Sequence, residues 1–293
     1  MKQRKILIAL ICVLVFLWLL LCAGAALLYF RGRQIHAPEI TVASTSEPTT
    51  LVTTTVETTV AETKPEPTES PIHLNRYDER DFEVVGEYLT CVSDWCLSGI
   101  DVSKYQSSID WHKVREAGIS FVMIRVGGRG YGKAGNMFPD EMANKHYRGA
   151  KEAGLLVGAY FFSQAVSVEE AVQEAQYALE LTKDWDLDLP IAYDWEYLGD
   201  YARTAEVEDR VLTDCAIAFC EEIEAADRQS MIYVSPWFGK YILEDLNDYD
   251  KWLALYKGDM TYRYEFDMWQ YTCVGGVPGV KGDVDINILV RSY

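Results

Sequence analysis

The chain is short of bases and of histidine. Its 293 residues carry 27 Lys and Arg against 45 Asp and Glu, a net charge of −18, with four His. Three of those bases, Lys2, Arg4 and Lys5, precede an uncharged stretch over residues 6–30, so 24 bases face 45 acids in the remainder. That balance argues against nucleic acid as a partner, because phosphate contacts require clustered Lys and Arg. It also argues against electrostatic adsorption to anionic surfaces. The histidines, His36, His73, His112 and His146, are scattered and form no His-Glu-x-x-His. A zinc hydrolase is therefore not supported, and neither a metal nor another cofactor is expected. A Gly-x-Ser-x-Gly nucleophile turn is absent as well.

Cysteine is sparse and none of it has metal-site spacing. Of seven, Cys12 and Cys22 lie in the apolar stretch. Cys91 and Cys96 are close enough to form a small disulfide loop. Cys215 and Cys220 fall on different faces of a helical pattern and read as core residues, which leaves Cys273 odd.

What is present divides the chain into four parts. Residues 1–5 form a basic tail, and Ile6 to Phe30 is a continuous apolar run of 25 residues. As a helix the run reaches roughly 37 Å, enough to cross a bilayer core with some tilt. Bases on its N-terminal flank place the tail in the cytoplasm and the long remainder outside. The competing reading is a cleaved signal peptide ending near Ala23-Gly24-Ala25, but the run is much longer than a signal core of about 7–15 residues. A lipoprotein site at Cys22 is disfavoured by the bulky Leu21 before it. Residues 31–80 read as a stalk, because 37–72 are rich in Thr, Pro and Glu, lack aromatics and cannot bury a core. The head is expected over 81–293.

Short apolar runs alternate with amphipathic stretches along the head. Strands are predicted over Leu97–Val102, Phe121–Val126, Leu156–Phe162, Ile191–Trp195, Met231–Val234, Trp252–Leu255, Phe266–Tyr271 and Val284–Leu289. Helices are predicted over Ile109–Ala117, Glu141–Ala153, Val168–Lys183, Val207–Ala226 and Trp237–Leu246. Gly118 and Gly154 each stand where a helix should stop. Such alternation implies parallel β/α units. With eight strands but five helices, the expected fold is a single irregular β/α barrel of the α/β class.

Barrels of this kind gather functional side chains at the C-terminal ends of their strands. Asp101 ends the first predicted strand, Asp194 and Glu196 end the fourth, and Asp285 lies by the last. Residues two apart on a strand share a face, so Asp194 and Glu196 can both look into the barrel mouth. Crowded carboxyls raise one another's pKa, which keeps one protonated while another stays charged. Glycosidic cleavage uses that division of labour. A lone Asp-x-Glu means little, as Asp81-Phe82-Glu83 shows by matching with nothing around it.

Longer motifs sharpen the reading. Gly99-Ile100-Asp101-Val102-Ser103 with Gln106 comes first, followed by Phe121-Val122-Met123-Ile124-Arg125. Ala153-Gly154-Leu155 leads to Val157-Gly158-Ala159-Tyr160-Phe161-Phe162. Then come Asp194-Trp195-Glu196, Tyr233-Val234-Ser235-Pro236-Trp237, Met268-Trp269-Gln270-Tyr271 and Val284-Asp285-Ile286-Asn287. In this order and spacing, from Leu97 to Tyr293, the head resembles glycoside hydrolase family 25, the cellosyl-type muramidases. The resemblance implies an irregular β/α barrel that cleaves the β-1,4 bond between N-acetylmuramic acid and N-acetylglucosamine of the peptidoglycan glycan strand. Carried over, Glu196 would be the general acid and Asp194 would position or stabilise, assisting attack by the substrate's own N-acetyl group. Asp101 and Asp285 would complete the acidic cluster. Tyr160, Tyr233, Trp269 and Gln270 fall within family-like motifs and are candidates for substrate contact. The anchor and stalk would hold the enzyme at the outer face of the cell membrane, in place of the wall-binding repeats of many secreted members. A non-catalytic wall-glycan-binding or scaffold protein is the competing function.

Two further features stand out. Arg125 lies in an apolar strand, where an unpaired charge is costly, so a salt bridge to one of the acids is expected and the residue counts as a substrate-site candidate. Gly130-Tyr131-Gly132-Lys133-Ala134-Gly135 matches a dinucleotide fingerprint, but Pro139 follows and no helix opens at the glycines. It reads as a mobile loop over the cleft. Nothing in the sequence sets an oligomeric state.

Overall fold

The computed structural model describes residues 72–93, 95–236, 240–256 and 262–293. The predicted anchor, and most of the stalk, lie outside the described residues. Among those described, no helix is long and apolar enough to cross a membrane.

All eight predicted apolar runs form strands: β3 (Leu97–Val102), β4 (Phe121–Arg129), β6 (Leu156–Ser163), β7 (Ile191–Trp195), β8 (Ser230–Val234), β9 (Lys251–Ala254), β10 (Met268–Gly275) and β11 (Val284–Leu289). Their order, β3-β11-β10-β9-β8-β7-β6-β4, closes through a β3–β4 pairing into a barrel of eight. Helices α1 (Trp111–Glu116), α2 (Ala143–Glu152), α3 (Val168–Thr182) and α4 (Asp209–Ala225) pack outside. Gly118 and Gly154 end α1 and α2 at φ +98° and +76°, a backbone that favours glycine.

Strand β11 is antiparallel to both neighbours, β10 and β3. Only residues 276–283 separate β10 from β11, fewer than the dozen or so that a parallel crossover needs, so the chain must turn back. The irregularity expected from the shortage of helices resides here.

Strand alternation builds two apolar layers. Phe121, Met123, Ala192, Met231, Trp252 and Met268 fill the barrel interior. Ile100, Val122, Ile124, Val157, Phe161, Ile191 and Tyr193 face the helices, where Cys215 and Cys220 also lie buried as expected. The interior is tight: a Cβ on Gly99 would sit 2.3 Å from the Phe121 ring.

Three elements differ from expectation. First, residues 72–80 are not stalk. Tyr77 is buried, with its ring 5.5 Å from Phe82 and 5.6 Å from Phe266. Leu74 bridges to Tyr264, and the His73 backbone N–H donates to Asn247 Oδ1 at 2.6 Å. The segment leads into an unforeseen hairpin of β1 (Phe82–Val85) and β2 (Tyr88–Cys91), turned at Gly86 with φ +68°. Cys91 and Cys96, whose pairing the sequence leaves open, form no disulfide, and the Cys96 sulfur accepts the Cys91 backbone N–H at 2.8 Å.

Second, the predicted helix over Trp237–Leu246 does not form in its described part. Its residues 237–239 lie outside the described residues, and 242–249 make successive three-residue turns such as Asp245 N–H to Ile242 O at 3.0 Å. The buried Lys251 ammonium takes the carbonyls of Asn247 at 3.2 Å and Tyr249 at 2.8 Å, so the backbone beyond 246 is held in turns instead of extending a helix.

Third, β5 (Met137–Pro139) pairs antiparallel with the far end of β4. The Gly-rich stretch, expected as a mobile loop, is the tight connection between these strands. It is tied by Gly130 N–H to Asn136 O and Gly135 N–H to Gly132 O, both at 3.0 Å.

Candidate functional site

The barrel mouth opens into a cleft of about 420 Å³ to which Asp101, Asp194, Glu196 and Asp285 all contribute. A volume of this size suits a small ligand or a few sugar rings. Asp194 is an inward position of β7, between Phe162 on β6 and Tyr233 on β8. Glu196 follows two residues later, just past the strand end. Asp101 is an inward position near the end of β3, and its Cα partner on β11 is Asp285. Because β11 runs backwards, its first turn of chain reaches the mouth together with the last residues of the other strands.

Burial and mutual repulsion set the protonation of this cluster. Asp101 is 6% exposed, and both Gln270 Nε2 and Asn287 Nδ2 donate to its Oδ2, at 2.7 and 2.8 Å. Burial pushes its carboxyl up to about 6, while those two amides restrain the rise. Asp285, half-buried, is pushed up to about 8, first by loss of solvent and then by the Asp101 charge. Asp194 is raised furthest, well above the carboxylate range, by burial and then by Glu196 and Asp101; Arg125 opposes the rise. One of its oxygens, Oδ1, has no hydrogen-bond partner among the described residues. Glu196 is reached by solvent, yet the cleft walls displace enough water to raise its carboxyl, against the Tyr233 hydroxyl. Four interacting carboxyls titrate as a set, so near neutral pH the cluster keeps protons while carrying negative charge.

Aromatic and amide groups frame the acids. Tyr160 and Tyr233 are both buried and meet Trp252 edge-on, with centroids 5.8 and 5.1 Å away. Trp252 Nε1 donates to Asn287 Oδ1 at 2.8 Å. Gln270 accepts the hydroxyls of Tyr233, at 2.8 Å, and Tyr256 on Oε1 while donating to Asp101. Each amide thus links an acid to the aromatic floor. A smaller cavity of about 130 Å³, lined by Trp195, Tyr233, Tyr241 and Tyr256, adjoins Glu196.

Two candidates sit elsewhere than expected. Trp269 is not in the cleft. Gln270 points inward, so its neighbour must point outward; the Trp269 ring meets Phe82 at 5.1 Å and its Nε1 donates to Leu255 O at 2.9 Å. Arg125 does line the cleft but does not pair with any of the four acids. Its Nε and Nη2 both lie 2.8 Å from Oδ2 of Asp140, a fully buried carboxylate that also accepts the Lys104 and Met142 N–H groups.

Asn287, Tyr256 and Asp140 were missed by the sequence reading. Asn287 was legible: it stands two residues after Asp285 on one strand and so shares its face. Tyr256 and Asp140 lie beyond strand ends, where no periodicity marks direction. Among the described residues, no three His, Cys, Asp or Glu side chains are arranged to hold a metal ion.

Comparison with known proteins agrees with this geometry. Residues 100–280 match the sequence profile of glycosyl hydrolases family 25. The chain is 27% identical over 207 residues to Lysozyme M1 of Streptomyces globisporus, covering 65% of this chain and 67% of that protein. Among solved structures, the bacterial lysozyme from Streptomyces coelicolor aligns with a TM-score of 0.55 at 25% identity, over 69% of this chain and 94% of that one. The modular autolysin LytC of Streptococcus pneumoniae, solved in complex with a synthetic peptidoglycan ligand, shares the fold. Its TM-score is 0.57 at 23% identity, over 66% of this chain and 46% of that chain.

Proposed function

The chain belongs to glycosyl hydrolase family 25, and from that premise we infer that it is a muramidase, cleaving the β-1,4 bond between N-acetylmuramic acid and N-acetylglucosamine in peptidoglycan. The observation that carries this reading is the shared cleft of Asp101, Asp194, Glu196 and Asp285, in which burial and repulsion keep protons on some carboxyls and charge on others.

Glu196 is the general acid. It is the most exposed member of the cluster, at the cleft surface where a glycosidic oxygen can reach it, and its raised pKa favours the protonated form that can donate. Asp194 lies deeper on the same face, with Oδ1 unsatisfied. A buried carboxyl oxygen without a partner is costly, and the N–H of a substrate acetamido group would pair with it and favour the charged form that burial and repulsion otherwise suppress. Such a contact orients the acetamido oxygen toward the anomeric carbon and supports attack by the substrate itself. Asp101, fixed by two amides and raised less than Asp285, supplies the negative field that stabilises an oxocarbenium-like transition state, while Asp285 opposite it keeps a proton. Gln270, Tyr160, Tyr233 and Arg125 shape the pocket floor and wall.

The apolar run over Ile6–Phe30 anchors the protein as a single-pass membrane helix, with the barrel outside the cytoplasm. Residues 31–71 act as the tether.

The test is digestion of purified peptidoglycan by the full chain beside Glu196→Gln, with new reducing ends identified by mass spectrometry. Reducing-end N-acetylmuramic acid from the wild type, and a loss of about a thousandfold or more in the variant, is the expected result. Wall binding without new ends would make the protein a glycan-binding scaffold instead.

A further inference from the structure

The connection between β4 and β5 carries an exposed tyrosine at the edge of the acid-lined cleft. Tyr131 is 53% exposed and lines that cleft, and Tyr201, from the segment after β7, is 74% exposed beside it. The two rings meet edge to face, with centroids 5.9 Å apart at 79°. An edge-to-face pair leaves ring faces open to solvent. Single exposed aromatics need no explanation, but two that abut each other on the rim of a glycan cleft do.

The rings also rest on an elaborate foundation. Arg203 N–H donates to Tyr131 O at 2.9 Å, which joins the two segments through their backbones. The Arg203 guanidinium runs beneath Gly135 and pairs with Glu170 at 2.8 Å. Beside it Arg129, 5% exposed, donates to Glu174 Oε1 at 2.6 Å, Gly135 O at 2.9 Å and Glu170 O at 3.1 Å. Glu174 is fully buried and also takes Ser163 Oγ at 2.5 Å. From there Gln164 reaches the Glu196 carbonyl at 3.3 Å and accepts Thr204 Oγ1 at 3.2 Å. Apolar side chains could fill this volume with equal or better stability. The network ties together the two segments that carry Tyr131 and Tyr201 and the one that carries Glu196.

We propose that Tyr131 and Tyr201 form a sugar-stacking platform, an outer subsite that binds the apolar face of an N-acetylhexosamine ring beyond the scissile pair. The platform is continuous with the cleft through Tyr131 and Leu198. Neutral pyranose faces suit an acidic rim because they bind by ring contact and hydrogen bonds, not by charge. Rings held in advance lose little freedom on binding, which is where the rigid foundation contributes. The inference rests on the muramidase reading and extends it to chain-length preference.

Kinetics on glycan oligomers of alternating N-acetylglucosamine and N-acetylmuramic acid test it, comparing a tetrasaccharide with an octasaccharide on the full chain. Tyr131→Ala and Tyr201→Ala should each raise KM for the octasaccharide about threefold to tenfold, with kcat and all tetrasaccharide parameters unchanged. Tyr131→Phe and Tyr201→Phe keep the ring and should behave as wild type. Equal KM values for wild type and both Ala variants on the octasaccharide would overturn the proposal. So would equal losses on both substrates, which would mark a disturbance of the cleft itself. Should the wild type release no reducing ends from either oligomer, the muramidase reading fails by itself. Calorimetric titration of the octasaccharide into wild type and Tyr131→Ala then decides the platform alone: weaker binding by the variant supports it and equal binding removes it.

Discussion

Asp285→Asn should stabilise the folded domain at alkaline pH and leave it nearly unchanged in mild acid. An unperturbed aspartate titrates near 3.8, whereas Asp285 in the folded barrel is pushed up to about 8. Between those values the folded chain retains a proton that the unfolded chain has released. Raising the pH through that window therefore favours unfolding. Asparagine keeps the shape and cannot titrate, so the variant lacks this part of the pH dependence. Each pKa unit corresponds to about 1.4 kcal/mol, which sets a ceiling of about 6 kcal/mol. Asp285 is only half-buried, and the charge is shared with Asp101, Asp194 and Glu196. Solvent screening and sharing reduce the expected difference to about 2–3 kcal/mol. Urea unfolding of both proteins at about pH 4 and about pH 9 measures it. With a slope of about 2–3 kcal/mol/M, the variant's midpoint should exceed the wild type's by about 1 M at the higher pH only. Parallel pH dependence in the two proteins would refute the claim that burial and the Asp101 charge hold Asp285 protonated.

Two substitutions test the placements that separate structure from sequence. Trp269→Ala should lower stability by about 2–4 kcal/mol in thermal or urea melts while leaving KM for glycan unchanged, because the ring packs on Phe82 outside the barrel; a raised KM at full stability would return it to the site. Gly135→Ala combines a φ of +55° with a Cβ placed 2.1 Å from Arg203 Nη1. It should cost about 1–3 kcal/mol, read as a fall in melting temperature, and an unchanged melt would show that the Arg203 guanidinium does not run beneath this loop.

Much of the barrel was legible because its strands are short apolar runs set off by amphipathic helices. Leu97–Val102, Ile191–Trp195 and Val284–Leu289 form strands with the bounds their composition predicts. The acids were legible for the same reason, since a two-residue period fixes which side chains share a face. That rule also shows where the reading went wrong. Trp269 and Gln270 are adjacent on one strand and cannot both face the mouth, and it is Gln270 that bonds Asp101. Other features depend on contacts distant in sequence. Arg125 needed a carboxylate, but only the pairing of β5 on β4 shows that Asp140 supplies it. The β1–β2 hairpin lacks a strong turn dipeptide, and residues 72–80 carry too few apolar side chains to announce that they pack. The turns over 242–249 are shaped by Lys251, a residue whose burial no local pattern forecasts.

The departure from a regular barrel is what completes the acidic cluster. If β11 ran parallel to its neighbours, Asp285, second in the strand Val284–Leu289, would lie at the barrel's N-terminal end. At about 3.3 Å per residue, that is more than 10 Å from the mouth. The antiparallel course sets it directly opposite Asp101 and brings Asn287 to the same carboxylate. The short connector over 276–283, with no room for a crossover helix, imposes that course. The residues between β10 and β11 thus decide the topology and, through it, how many carboxyls the cleft contains. A longer connector able to form a helix would permit the regular barrel and remove from the cluster the acid that sits opposite Asp101.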